Sequence, residues 1–108
     1  MKPRFEVLGD QCGTAEDELK QILSSRFSAL GCILRAYLVR VERKGFPDVD
    51  VALCLRVKSK TSESEVVASV SSIFASLFNS SEHLDLIFVS NEEETQFATR
   101  CAPFYVRH

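Results

Sequence analysis

The chain has 108 residues, enough for one domain with a single core (1–108) and too few for two. Thirteen Lys and Arg against 15 Asp and Glu leave a formal net charge of −2, which excludes the basic surface that general nucleic-acid binding needs. No apolar run approaches the ~20 residues that span a bilayer as a helix, so neither nucleic acid nor membrane is an expected partner.

The stretch RFEVL, 4–8, alternates with Phe5 and Val7 on one side and predicts a first strand. Gly9, Asp10 and Gly13 then make a turn, and Thr14 with Asp17 three positions on predicts a helix N-cap. Leu19, Ile22, Leu23, Phe27 and Leu30 recur at helical spacing until Gly31 closes this first helix.

Residues 33–42 and 49–58 are two β-rich runs joined by RKGFPD, the pattern of a hairpin. One face is expected to carry Tyr37, Val39 and Val41 opposite Val49, Val51, Leu53, Leu55 and Val57, pointing into the core. The other carries Leu34, Ala36, Leu38, Ala52 and Cys54, with Arg40, Glu42, Asp50, Arg56 and Lys58 at its margins. A solvated antiparallel sheet should be polar there. An apolar patch with a cationic rim has the composition of an interface, so Leu34, Ala36, Leu38, Ala52, Cys54 and Arg56 are candidates to meet a protein partner or a second copy in a homodimer. The competing reading folds the terminal helix or the tail across that face.

A second helix is expected from Ser62, capped by Ser62 with Glu65 and carrying Val66, Val67, Val70, Ile73, Phe74, Leu77 and Phe78 as a wide apolar stripe opposite a serine-rich face. LDLIFVS, 84–90, predicts a last strand buried on both sides. Asn91 is expected to cap a short third helix, with Glu92, Glu93 and Glu94 as solvated charge matching its dipole and Phe97 and Cys101 on its inner face. Pro103 then stops it, and Phe104 and Tyr105 are expected to dock back against the sheet or that last helix.

The order β, α, β, β, α, β predicts an α+β fold, an antiparallel sheet with two helices on one face in ferredoxin-like order, extended by a C-terminal helix and a docked tail. Chemistry is sparse. His83 and His108 make no ligand-spaced pair with each other or with a cysteine, so no metal or cofactor is expected. Cys12, Cys32, Cys54 and Cys101 contain no CxxC clip, and the first residues lack the apolar core of an export signal. Four reduced thiols in a cytoplasmic protein are the expectation. No GxSxG occurs, and Cys12 has no histidine near it in sequence, so no enzymatic activity is expected.

The turn at Asp10, Gly13 and Thr14 admits two readings. It lies where ACT-type regulatory domains carry an amino-acid-binding turn, with glycine letting backbone N–H groups approach a carboxylate, so a small amino acid is the alternative ligand. Cys12 stands where that family commonly has proline, and a plain turn before a helix explains the same residues.

Three stretches carry a closer resemblance: VLGDQCGTAEDELKQIL near the start, LRAYLVRV on the second strand, and the closing CAPFYVRH. Through Leu8, Gly9, Ala36, Tyr37, Leu38, Pro103, Phe104, Tyr105 and Arg107 the chain resembles the C-terminal domain of the SseB, or enhanced serine sensitivity, family. The resemblance implies a bacterial, non-catalytic domain with no established catalytic residues. Members usually carry a second, N-terminal domain, which implies that a surface covered there by the companion here meets a second copy.

Overall fold

The computed structural model describes residues 5–43, 49–78 and 84–107. The hairpin turn expected at 44–48, the inward placement expected for the Val49 side chain, and both histidines lie outside the described residues. In chain order the elements are β1 (Phe5–Asp10), α1 (Thr14–Leu30), β2 (Ile33–Arg43), β3 (Val49–Val57), a short 3-10 turn (Lys60–Ser62), α2 (Glu63–Leu77), β4 (Asp85–Phe88), α3 (Asn91–Phe97) and β5 (Tyr105–Val106). Among the described residues no helix is long and apolar enough to cross a membrane.

The chain is α+β, but its sheet is mixed. The strands lie side by side in the order β1-β2-β3-β4; β1–β2 and β2–β3 are antiparallel and β3–β4 is parallel. A ferredoxin-like sheet interleaves its two β-α-β units, and here β1 pairs with β2 while β3 pairs with β4. The parallel pairing follows from α2, which carries the chain back along β3 before β4 begins.

Register decides which face each apolar residue serves. Ala36 stands opposite Leu55 and Leu38 opposite Leu53, whereas Tyr37 stands opposite Cys54 and Val39 opposite Ala52. Directly paired residues share a face. Ala36, Leu38, Leu53 and Leu55 therefore form one core with Leu19, Leu23 and Phe27 of α1 and Val66, Val70 and Ile73 of α2. Tyr37, Val39, Val41, Ala52 and Cys54 form a second core with Phe5, Val7, Ile87, Val89, Phe97 and Cys101. The expected faces were out of phase by one residue between β2 and β3, and such a slip moves every side chain of one strand to the other side. A bulge between Ile33 and Arg35 turns Ile33 into the first core.

Capping also differs from expectation. Gly13, not Thr14, precedes α1, and Ser62 precedes α2; neither helix has a side-chain cap bond. Gly31 closes α1 in the left-handed region at φ 72°, its N–H donating to the Phe27 carbonyl, a conformation in which a Cβ would be strained. At α3 the cap is Ser90, not Asn91. Its Oγ accepts from the Glu93 N–H at 3.1 Å while the Glu93 carboxylate accepts from the Ser90 N–H at 3.0 Å, a complete capping box. The helix ends at Phe97, well before Pro103, and a turn closed by the Cys101 N–H on the Phe97 carbonyl keeps Cys101 in the core.

Candidate functional site

A buried carboxylate organises the face under α3. Glu94 follows Glu92 and Glu93 in sequence, yet it is 5% exposed. Both of its oxygens are taken: Arg35 binds it bidentately through Nε and Nη2, the second bond at 2.7 Å, and the Tyr37 hydroxyl donates to Oε2 at 2.7 Å. Arg56 Nε lies 3.4 Å from Oε1 but is not aligned for a hydrogen bond, while its Nη1 donates to the Val89 carbonyl at 3.3 Å.

The strands explain why this group assembles. Arg35 and Tyr37 are two apart on β2 and share a face, and Arg35 stands directly opposite Arg56 on β3. Two cations facing each other across a ladder repel, and the carboxylate from α3 makes the pairing tolerable. Glu94 and Phe97 fall at i and i+3, so one inner face of α3 delivers an acid and a core residue, and the turn after the helix adds Cys101 to the same core. Tyr37 and Phe97 meet edge to face at 5.0 Å.

The electrostatics match the geometry. Burial alone would raise the Glu94 carboxyl, but Arg35, the Tyr37 hydroxyl and Arg56 outweigh it and hold the group below the ordinary carboxylate range. Burial, then the bond to Glu94, pushes the Tyr37 phenol up to about 12. The expectation that all three glutamates are solvated fails at Glu94, because tertiary contact draws it inward.

The candidate interface residues do not form one exposed patch. Ala36 and Leu38 are buried beneath α1 and α2, Ala52 and Cys54 beneath α3, and Arg56 belongs to the carboxylate cluster. Leu34 is half-buried near the start of β2, its carbonyl accepting from the Arg107 N–H at 2.9 Å.

The turn residues are also separated. The Asp10 carboxylate faces the chain after α3, Oδ2 accepting from the Ala102 N–H at 3.4 Å, and Oδ1 is buried with no hydrogen-bond partner among the described residues. Burial and the nearby Asp10 push the Cys101 thiol up. Gly13 and Thr14 are exposed at the start of α1, as is Cys12.

The closing segment adds β5 to the same edge of β2 that β1 uses further along. The Phe104 N–H donates to the Ala36 carbonyl at 2.9 Å, Tyr105 pairs with Ala36, and Pro103 before them is half-buried. Both rings pack on α1 rather than α3: Phe27 lies 6.5 Å from Phe104 and 5.7 Å from Tyr105, the latter edge to face. Among the described residues no three His, Cys, Asp or Glu side chains cluster as metal ligands would.

Comparison with curated proteins and with solved structures returned no match. A family model does match, that of the SseB protein C-terminal domain, over residues 13–107, from the cap of α1 through β5. With nearly every element inside that match, the chain belongs to the SseB C-terminal domain family.

Proposed function

We propose that this domain acts without catalysis, by association, and that its contact surface is the outer side of α2, meeting the same face of a second copy. The observation that carries this reading is charge. From Val66 to its end at Leu77 the helix has no charged residue, although Val67, Ala68, Ser71, Ser72 and Ala75 are exposed. A helix bordering water ordinarily carries charge on its outer side, whereas interface centres are depleted in it. Val67 is 41% exposed, and Phe74, stacked on Phe78 at 4.7 Å, belongs to neither core cluster. Beside that face, exposed Ile22 of α1 and Ile73 of α2 line a groove whose one charged member is Arg26 of α1. An uncharged face is complementary to itself, since neither copy strands an unpaired charge on contact.

The carboxylate cluster supports the non-catalytic part of the reading. Glu94 is held below the ordinary carboxylate range by groups that occupy both oxygens, which makes it a poor proton acceptor near neutral pH. Sedimentation velocity across the micromolar range tests the association. A dimer that Val67→Glu with Ser71→Glu converts to monomer supports it; a monomer throughout, or a dimer indifferent to both changes, overturns it.

A further inference from the structure

β3 and β4 are parallel neighbours, yet the chain leaves their carboxyl ends toward opposite faces of the sheet. After β3 it passes through the 3-10 turn into α2, which packs with α1. After β4 it passes through Val89 and Ser90 into α3, which packs on the other side. Connections that diverge in this way leave the strand ends between them uncovered. In open sheets with parallel strands such a switch point is where ligands bind.

A cleft of about 450 Å³ opens at this place. Arg56, Lys58 and Lys60 bring three cations to its walls, with the hydroxyls of Ser59 and Ser90 beside them. Val57, Phe88 and Val89 supply apolar surface. Two carboxylates, Glu63 and Glu93, also line it, so the three cations leave a net positive charge of one on its walls, and the Glu93 carboxylate is held toward the Ser90 N–H by the capping box.

Arg56 is the telling residue. Glu94 is neutralised by its bidentate pair with Arg35, so Arg56 approaches it as a second, surplus cation. The Arg56 Nε, 3.4 Å from Glu94 Oε1, is buried with no hydrogen-bond partner among the described residues, and Nη1 makes a long bond to a carbonyl. A guanidinium with five donors is under-used here. One guanidinium fork suffices for a planar carboxylate, whereas a phosphate offers oxygens in several directions and suits an arginine combined with lysine point charges.

We propose that this cleft binds a small phosphate monoester, with Arg56, Lys58 and Lys60 on the phosphate and Val57, Phe88 and Val89 against the organic part. The site is separate from the outer side of α2. Amide chemical-shift mapping of the whole chain at low ionic strength tests it, with inorganic phosphate, glycerol phosphate and acetate as three probes. Saturable shifts confined to residues 56–60 and 88–90 are expected with both phosphates. The exposed pair Lys58→Ala with Lys60→Ala should weaken binding by about tenfold or more, since two charge-assisted contacts are lost. Linear shifts spread over the surface, affinity unchanged in the double variant, or acetate binding as tightly as phosphate would each overturn the assignment.

Discussion

Replacing Glu94 by Gln keeps the shape of the side chain and removes the charge between Arg35 and Arg56. Breaking a fully buried pair costs about 3–5 kcal/mol, because the remaining charge is left without compensation. Here the orphaned cations retain contact with water, the side chains of Arg35 and Arg56 being 35% and 22% exposed. Solvent therefore recovers part of the loss, and the expected cost is about 2–3 kcal/mol. For a domain of this size that corresponds to a fall in Tm of about 10–15 °C. Urea unfolding of wild type and Glu94→Gln measures it, with exposed Glu92→Gln as a control expected to stay within about 0.5 kcal/mol. A double-mutant cycle with Arg35→Met then isolates the pair. A Glu94→Gln cost below about 0.5 kcal/mol, the level of a surface pair, would refute the account of α3 as pinned by a buried carboxylate.

The same cluster predicts a pH profile. Glu94 is depressed in the folded state, so its contribution is present above the ordinary carboxylate value of about 4.3 and is lost as pH falls through the lower folded one; acid unfolding of Glu94→Gln should lack that component. Tyr37 is raised, so its contribution is present below the ordinary phenol value of about 10 and is lost as pH rises through about 12; the ultraviolet titration should show a phenolate appearing there that Tyr37→Phe abolishes. Among the caps, Ser90→Ala should cost about 1 kcal/mol in urea unfolding while Ser62→Ala costs close to nothing, since only Ser90 makes a side-chain cap bond.

Periodicity along the chain sufficed for the helices, for the long β2 and β3 runs, and for the C-cap at Gly31, because each depends on neighbours a few residues away. The terminal Pro-Phe-Tyr and the Ala-Tyr-Leu of β2 were enough to suggest the family. The acidic run groups Glu94 with its two neighbours as solvated charge, although its spacing of three from Phe97 is a signal for the inner face of α3. Alternation cannot say which residue of β3 lies opposite which residue of β2, and that pairing sorts Ala36 and Leu38 from Ala52 and Cys54 into two cores. Only tertiary structure could bring Arg35, Arg56 and Glu94 to one point, because cross-strand pairing and helix docking join residues up to 59 positions apart. The divergence of the chain after β3 and β4 is likewise a property of the folded sheet. It depends on which face each following helix buries, a choice made by packing rather than by local sequence.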